Sequence, residues 1–285
     1  MILLIESGSS KADWCLLDGK NVIQKIQTIG LNPYFVDAER ISDTIANEIL
    51  PVLNASSSVE DIYFYGAGCS NEKMCGIVEA GLRNQFSTAR IYVLSDMLAA
   101  ARSLCGDGPG FVAILGTGSN SCAYKDGLII EQVPSLGFIL GDEGSGSDLG
   151  KRLLQAYCYN EMKPELLIAF EKKFKVNREF IIESVYKKPL PNRFVASFVP
   201  FLLENPDENF TSMIAESFDS FLTRHIRKYK LLPIQTPLYV TGSVAWVFKE
   251  ILTEEIKKHG FVLGEISQSP LDGLVKYHTM KYRAK

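Results

Sequence analysis

Residues 141–150 read GDEGSGSDLG and place two adjacent carboxylates, Asp142 and Glu143, among glycines and serines. Because glycine carries no Cβ, a stretch this rich in glycine lets the backbone come close to another group. An ordinary turn needs few glycines and rarely needs both acids. The pattern therefore indicates a turn that approaches a ligand, and the chemistry of that ligand has to be read from the other glycine-rich turns of the chain.

The first of these turns lies in LLIESGSSKADW, residues 3–14. Glu6 stands at the end of a predicted strand and is followed by Ser7, Gly8, Ser9, Ser10 and Lys11. A hairpin of this composition can point backbone N–H groups and hydroxyls at a phosphate. Glu6 would then hold a water molecule of a bound magnesium ion, since magnesium keeps several waters and needs few carboxylates. The same residues are also compatible with an ordinary hairpin turn.

The second turn lies in LGTGSNSC, residues 115–122, and has the same chemistry in Gly116, Thr117, Gly118 and Ser119. Its small residues let the backbone close on an anion, although a plain tight hairpin has the same composition. The P-loop pattern G-x-x-x-x-G-K-[ST] is absent. No G-x-G-x-x-G follows a strand and opens a helix, so the sequence gives poor support for a dinucleotide-binding Rossmann unit.

Two further features stand at the ends of predicted strands. In YVTGSVAW, residues 239–246, Gly242 and Ser243 join a strand to a helix, which would let a ring or a phosphate lie against the helix start. Asp96 follows the strand RIYVLS, where ligands gather in α/β sheets, and it could accept a proton from a substrate hydroxyl. Each feature alone has a structural explanation, a junction glycine or a first-turn acid. Together with the two hairpins they form one ordered set.

The elements that must position this set alternate between strands and helices, which predicts the α/β class. A hairpin followed by a βαβ pattern occurs twice, from residue 2 and from residue 111, and predicts two similar domains facing each other across a cleft. The stretch CGDGPG suggests the boundary, so the domains are predicted over 1–110 and 111–285. Packing of the last helix, predicted over 270–281, back on the N-terminal domain is left open. Long single helices are predicted over 38–53, 192–203, 208–229 and 244–260.

Composition excludes several classes of protein. The 285 residues carry a net charge of −3 and have 46% hydrophobic content, which fits a large core and gives no electrostatic footprint for nucleic acid. The basic run KYHTMKYRAK at residues 276–285 is interpreted as a solvated helix end. MILLI is too short for an export signal and no stretch approaches the ~20 apolar residues of a membrane span, so we expect a cytoplasmic protein without membrane contact. The six cysteines form no C-x-x-C pair, which argues for buried, reduced thiols.

The ordered set resembles the actin/hexokinase/Hsp70 superfamily, and within it the N-acetylglucosamine kinase branch of the BadF/BadG/BcrA/BcrD ATPase family. IESGSSKAD and LGTGSNS resemble the two phosphate motifs, VTGSVA the adenosine motif, and SDMLAAA the segment with the catalytic aspartate. GDEGSGSDLG is similar to the GDEGS signature of the N-acetylglucosamine kinases and is the most specific of the five. The resemblance implies two ribonuclease H-like, actin-like ATPase domains, with ATP and Mg2+ as cofactors.

The resemblance also assigns roles to single residues. It implies that Asp142 accepts hydrogen bonds from sugar hydroxyls and that Asn120 and Asn32 contact the sugar. Glu143 either joins them or caps or orients the helix that begins near Ser145. Asp96 corresponds to the catalytic base. Glu6 replaces the aspartate of many superfamily members, and Ser135-Leu136-Gly137 replaces a Gly-Trp-Gly-like stretch, which leaves the acyl-group pocket open.

The expected reaction is transfer of the ATP γ-phosphoryl group to an amino sugar, first N-acetylglucosamine at O6. N-acetylmuramic acid is an alternative substrate, since a lactyl group could use the space left at Leu136. Two further functions stay open: a BadF-type ATPase activator, whose iron–sulfur cluster would need cysteines such as Cys105 and Cys122, and a sensor without turnover. Relatives of this type suggest a homodimer.

Overall fold

The computed structural model describes residues 1–53 and 59–282, so the last three residues of the predicted basic helix end lie outside the described ranges. The contacts divide the chain into two compact units. The first contains Met1–Gly108, Asp126–Leu128 and Ser269–Lys285, and the second contains Pro109–Lys125 and Ile129–Gln268. Each unit is built on one five-stranded sheet.

The first unit has the sheet order β3-β2-β1-β4-β5. Its central strand β1 pairs antiparallel with β2 and parallel with β4, and β4 pairs parallel with β5. The five strands are Ile2–Ser7 (β1), Lys11–Asp18 (β2), Asn21–Ile29 (β3), Asp61–Gly66 (β4) and Arg90–Ser95 (β5). The helices are Ala38–Thr44 (α1), a π-helical turn at Ile45–Ile49, Glu72–Gln85 (α2), Asp96–Cys105 (α3) and, from the end of the chain, Leu271–Tyr282 (α13).

The second unit repeats this order, since its sheet reads β8-β7-β6-β9-β10. β6 pairs antiparallel with β7 and parallel with β9, as β1 does with β2 and β4. The strands are Gly110–Leu115 (β6), Ser119–Lys125 (β7), Leu128–Gln132 (β8), Leu238–Thr241 (β9) and Leu263–Ser267 (β10). The repeated hairpin-then-βαβ order predicted from the sequence is therefore confirmed.

Most helices of the second unit lie between β8 and β9. They are Gly137–Leu140 (α4), Gly146–Cys158 (α5), Pro164–Phe174 (α6), Arg178–Tyr186 (α7), Pro191–Ala196 (α8), Pro200–Glu204 (α9), Glu208–Arg224 (α10) and a 3-10 turn at Ile226–Lys228; Ser243–Val247 (α11) and Lys249–Lys258 (α12) follow β9. No helix in the described ranges is long and apolar enough to cross a membrane.

All four long helices predicted from the sequence are interrupted or shortened in the structure. The one predicted over 208–229 ends at Arg224 and is followed by a 3-10 turn at Ile226–Lys228. The helix predicted over 38–53 becomes α1 and a π-helical turn, and the one predicted over 192–203 divides into α8 and α9 at Pro200, which lacks the N–H that a continuing helix needs. The helix predicted over 244–260 breaks at Phe248, whose ring is buried in the core of the unit. No glycine or proline marks this last break, so only the packing of Phe248 reveals it.

The last helix, α13, packs on the first unit beside α3. Leu271 joins the apolar cluster formed by β1 and β2, and Leu274 packs with Tyr65 and Ala99. Gly273 makes the contact close, because a Cβ at this position would lie 2.4 Å from the carbonyl oxygen of Ser103. The helix α13 is therefore part of the core of the first unit.

A buried polar chain also holds α13. Arg102 Nη1 donates to the Tyr65 hydroxyl (2.9 Å), and this hydroxyl is hydrogen-bonded to His278 Nε2 (2.8 Å). The ring of Tyr63 lies 4.2 Å from the His278 ring. Burial, reinforced by the Arg102 cation, lowers the pKa of His278 to about 4.

We expect this histidine to make the first unit sensitive to acid. The unfolded chain binds a proton near pH 6.5 and the folded chain only near pH 4, so stability is lost as the pH falls through this interval. Between pH 7 and pH 5 the loss should be about 2 kcal/mol. In the variant His278→Gln, which keeps an acceptor for Tyr65, this part of the pH dependence should disappear.

Urea unfolding followed by tryptophan fluorescence would measure the effect. A Trp246→Phe background leaves Trp14, which is buried in the first unit, as the reporter. Equal loss of stability in both proteins between pH 7 and pH 5 would show that His278 does not titrate in this way.

Candidate active site

The first glycine-serine hairpin joins β1 to β2 and is held by backbone contacts. Gly8 N donates to the Lys11 carbonyl (2.9 Å), and Gly30 N donates to the Ser10 carbonyl (3.1 Å). A Cβ on Gly30 would lie 2.4 Å from the Gly8 carbonyl oxygen, so only glycine permits the chain after β3 to pass this close. The hairpin is therefore a supported turn rather than a free loop.

Two residues predicted to bind ligand also support this hairpin. The buried hydroxyl of Ser7 accepts a hydrogen bond from Leu31 N (2.9 Å). Asn32 is buried too: its Nδ2 donates to Ser9 Oγ (3.2 Å), and its Oδ1 accepts from Tyr34 N (3.0 Å). The side chains of Ser7 and Asn32 are thus engaged in shaping the turn. Gly8, Ser9 and Ser10 are the parts of it that reach the surface.

Three carboxylates gather at the carboxyl end of the first sheet. Glu6 and Asp13 are paired across the β1–β2 ladder, and Asp96 follows Ser95, which is in register with Gly66 of β4. Burial, together with the charges of Asp13 and Asp96, raises the pKa of Glu6 to about 7. Lys11 forms an ion pair with Asp13 (2.8 Å) and offsets part of this charge.

Asp96 begins α3, and Ser95 is the N-cap whose Oγ accepts from Leu98 N (3.2 Å). Asp96 Oδ1 accepts from Met97 N (2.8 Å), which fixes one oxygen and leaves the other for a substrate. Burial raises the pKa of Asp96, and the Met97 N–H opposes the shift. A raised pKa makes a carboxylate a better proton acceptor, as a general base requires.

Glu6 is the carboxylate of the first unit that best fits magnesium, because a divalent cation would stabilise the ionised form that burial and the charges of Asp13 and Asp96 disfavour. Asp13 already contacts Gln27 Nε2 (2.7 Å) and Lys11 Nζ (2.8 Å), one at each carboxylate oxygen. The sequence motifs gave Asp13 no role. Lys11 and Asp13 alternate along β2 and so share one of its faces, and only the strand register places Asp13 opposite Glu6.

The second glycine hairpin, between β6 and β7, is bound to the start of α5. Gly116 N donates to the Gly118 carbonyl (3.0 Å), which closes the turn. Gly146 N and Ser147 N then donate to the carbonyls of Gly116 (2.8 Å) and Thr117 (2.9 Å). The first N–H groups of a helix have no partner within the helix, and here the hairpin satisfies two of them.

Asp142 lies directly on this hairpin. Its Oδ1 accepts a long hydrogen bond from Ser119 N (3.4 Å), and a Cβ on Gly118 would lie 2.9 Å from its Oδ2. Asp142 is buried and has φ +60°, a left-handed backbone that aspartate tolerates better than most residues. Burial raises its pKa, while Ser119 N–H and Lys151 oppose the shift. Asp142 is therefore a buried acceptor with capacity for further donors.

Glu143 points to other residues. Its Oε1 accepts from Arg224 Nη1 (2.9 Å) and its Oε2 contacts His225 Nε2 (3.3 Å). Burial tends to raise the pKa of Glu143, but its own backbone N–H, His225 and Arg224 produce a net lowering. The alternative that Glu143 caps α5 is wrong, because Ser145 is the N-cap and its Oγ accepts from Asp148 N (3.2 Å).

Two neighbours of Asp142 retain binding capacity. The Ser119 hydroxyl is buried and has no hydrogen-bond partner within residues 1–53 and 59–282. Asn120 Oδ1 accepts from Ser121 N (2.9 Å) and from Gln132 Nε2 (3.2 Å), which orients the amide so that its NH2 group is the donor end. Buried hydroxyls are normally satisfied, so Ser119 points to a ligand or water beside it.

The β9–α11 junction lies close to the second hairpin. Gly242 has φ +120°, and a Cβ there would lie 2.4 Å from the Leu115 carbonyl oxygen, so the position requires glycine. Ser243 is exposed at the start of the five-residue helix α11. The second unit thus brings Gly116–Ser119, Asn120, Asp142 and Gly242 together, and the first unit brings Glu6, residues 8–11 and Asp96 together.

The whole chain matches no protein-family model and no curated protein. Among solved structures, a protein of Porphyromonas gingivalis described as a "putative N-acetylglucosamine kinase" is 41% identical, with 99% of this chain and 100% of that chain covered and a TM-score of 0.94.

Two more distant structures share the fold. A Chromobacterium violaceum protein with the same description is 17% identical, with a TM-score of 0.75 over 97% of this chain and 98% of that chain. A glucokinase of the ROK family from Streptomyces griseus, solved with glucose and AMPPNP, is 16% identical, with a TM-score of 0.54 over 99% and 100%. The predicted α/β class with the actin-like ATPase fold is confirmed.

Identity of 41% over the full length of both chains exceeds what a shared fold alone requires. The chain therefore belongs to the family of carbohydrate kinases that the Porphyromonas gingivalis protein represents.

Proposed function

We propose that this protein transfers the γ-phosphoryl group of ATP to an N-acetylated hexosamine, with N-acetylglucosamine phosphorylated at O6. The observation that carries the proposal is the contact of Asp142 with the second hairpin, through Ser119 N and the bare face of Gly118. Asp142 can accept hydrogen bonds from sugar hydroxyls, and it contacts the hairpin Gly116–Ser119, whose composition suits phosphate binding. The description of the Porphyromonas gingivalis relative supports the same substrate. The motifs also support membership of the BadF/BadG/BcrA/BcrD ATPase family.

Sugar binding is assigned to Asp142 and Asn120 in the second unit. The Asp142 carboxylate accepts from sugar hydroxyls, and the Asn120 amide donates, since its oxygen is already occupied. Asn32 belongs to the first unit, where its amide shapes the hairpin and leaves one N–H for a sugar oxygen. Glu143 was assigned to the same subsite from the resemblance, and its two occupied oxygens favour a supporting role instead.

Nucleotide binding is assigned to the two hairpins and to the β9–α11 junction. In the first hairpin, residues 7–11 offer backbone N–H groups, the Ser9 and Ser10 hydroxyls and the Lys11 cation to the phosphates. In the second, Gly116–Ser119 offers its remaining N–H groups and the Ser119 hydroxyl, which has no hydrogen-bond partner among the described residues. Gly242 and Ser243 present a surface without bulky side chains to the adenosine. Magnesium, when bound, would supply charge neutralisation at the phosphates, and Glu6 would hold it through a water molecule.

Asp96 is the proposed general base. Its second carboxylate oxygen accepts the proton of the sugar hydroxyl. At the same time the sugar oxygen bonds to the γ-phosphorus of ATP, and the bond between this phosphorus and the ADP oxygen breaks. Phosphoryl transfer proceeds through a loose transition state, so the chain acts mainly by positioning and by stabilising charge. The raised pKa of Asp96 suits this role.

Two alternative functions are compatible with the same fold. N-acetylmuramic acid would use the same Asp142, with its lactyl group beside the exposed Leu136. An ATPase activator would need thiolates for an iron–sulfur cluster, but Cys122 is buried within β7, and burial raises the pKa of Cys105 to about 12. The kinase is therefore the better supported function.

The function is tested by magnesium-dependent ADP release from ATP with N-acetylglucosamine, N-acetylmuramic acid, glucosamine and glucose supplied separately. We expect N-acetylglucosamine to stimulate release at least ~10-fold over the rate without sugar, and phosphorus NMR to assign the product to O6. If N-acetylmuramic acid alone stimulates ADP release, it is the substrate in place of N-acetylglucosamine. If none of the four sugars stimulates release, the proposed kinase activity is refuted.

We expect Asp96→Asn to reduce turnover at least ~100-fold, because the amide cannot take the proton. The amide oxygen introduced by this substitution can still accept from Met97 N, so circular dichroism and melting temperature should stay close to those of the native protein. Asp37→Asn is the matched control, since Asp37 also starts a helix of the first unit, accepting from Arg40 N (2.8 Å). Near-normal turnover of Asp96→Asn would remove Asp96 from the mechanism.

Gly118→Ala should raise the KM for the sugar about tenfold. The added Cβ would lie 2.9 Å from Asp142 Oδ2 and displace the carboxylate, a contact of the kind that costs about 1–3 kcal/mol. Gly116→Ala lies in the same hairpin, but its Cβ would meet no atom within 4 Å. Steady-state kinetics should therefore give a higher sugar KM for Gly118→Ala than for Gly116→Ala. Equal sugar KM values would show that the contact between Gly118 and Asp142 does not affect sugar binding.

A further inference from the structure

The carboxyl-terminal half of α10 presents one face to the GDEGS turn. Ser217, Phe221 and His225 are spaced by four residues and so share one side of the helix and its extension. Gly144 N donates to Ser217 Oγ (3.1 Å), and a Cβ on Gly144 would lie 3.0 Å from Phe221 Cβ. The turn that carries Asp142 therefore rests on α10.

The side chain of Glu143 is held at the carboxyl-terminal end of this face. Arg224 and His225 donate to its two oxygens, so both are occupied. Because a carboxylate can only accept, Nε2 of His225 carries the proton. The His225 ring is buried, stacks on Phe221 at 4.8 Å, and its Nδ1 has no partner within the described part of the chain. The histidine is therefore held in a single ring orientation by packing and by Glu143.

These contacts of Glu143 lie next to Asp142, whose backbone has a left-handed conformation. Asp142 has φ +60°, and its carbonyl accepts from Ser145 N (3.1 Å). One peptide bond links it to Glu143, so a rotation of the Glu143 backbone would turn the Asp142 carboxylate away from Ser119 N. Burying the Glu143 side chain between Arg224 and His225 opposes this rotation.

We propose that Arg224 and His225 are positioning residues for the sugar subsite, acting through Glu143 on Asp142. This inference rests on the proposed function, since it concerns how the sugar is bound. Neither residue touches substrate. Both act on sugar affinity, because the hairpin that binds phosphate has its own support from the N–H groups of Gly146 and Ser147.

The first test uses His225→Leu, which removes the donor to Glu143 while keeping a buried apolar group. We expect the KM for the sugar to rise about tenfold, with kcat and the KM for ATP changing less than about threefold. His225→Gln restores an N–H donor and should recover most of the sugar affinity. Arg224→Gln, at an exposed position where folding is not at risk, should raise the sugar KM in the same direction.

Asp219→Asn is the matched control, because Asp219 is also on α10 and pairs with a histidine, His259 Nε2 (2.8 Å), at the end of α12. Its sugar KM should equal that of the native protein. A tenfold rise in this control would show that any ion pair of α10 matters, and it would overturn the specific role of Arg224 and His225.

The second test is a double-mutant cycle measured by calorimetric sugar binding. If His225 acts through Asp142, His225→Leu should have no further effect on the sugar Kd in an Asp142→Ala background. Additive losses would overturn the inference. Normal native turnover with an unchanged sugar KM in His225→Leu would overturn this inference alone, whereas absence of sugar-dependent turnover in the native chain would overturn the proposed function as well.

Discussion

Two hydrogen bonds, from Gly146 N and Ser147 N to the carbonyls of Gly116 and Thr117, tie the start of α5 to the second glycine hairpin. A helix start has N–H groups that need acceptors, and a tight hairpin has carbonyls that need donors. The helix start and the hairpin satisfy each other, so the carboxyl end of the turn from residue 141 to 145 is fixed. The place of Asp142 against Gly118 depends on this pairing.

The two units have the same order of strands but carry different functional groups. Both centre on a strand that has an antiparallel partner on one side and a parallel partner on the other. In the first unit residues 30–60 connect β3 to β4, and acids lie at the carboxyl ends of the strands. In the second, the connection after β8 carries the helices from α4 to α10, and it begins with the turn that holds Asp142. The larger insertion gives that turn a helix on which to rest.

The acidic groups fall into two electrostatic classes. Glu6, Asp96 and Asp142 are desolvated and incompletely paired, so their pKa values rise and each can gain from a cation, a proton or a hydroxyl donor. Glu143 has both oxygens occupied by cationic or N–H donors and a lowered pKa, so a ligand would have little to add. Adjacent acids in one motif therefore differ in function because of what surrounds them. Perturbed carboxylates of the first class are typical of sites that bind or react.

The amino-acid sequence by itself determined the α/β class, the repeated strand order and the motif set that led to the kinase family. These features are local, since strand alternation, glycine turns and acids at strand ends need only neighbouring residues. The sequence also directed attention to Asp142 and Asp96 through their positions after strands. It did not reveal the break at Phe248, which depends on where a buried ring can pack.

Only the tertiary structure decided which polar atoms are already occupied. Ser7 and Asn32 belong to ligand-type motifs, yet their side chains bind Leu31 N, Ser9 and Tyr34 N. Asp13 joined Glu6 only through the register of β1 and β2, and Glu143 was separated from Asp142 by two residues more than 80 positions away, Arg224 and His225. Motifs specify residue types over short spans. Hydrogen-bond partners distant in sequence determine which of those residues remain available to a ligand.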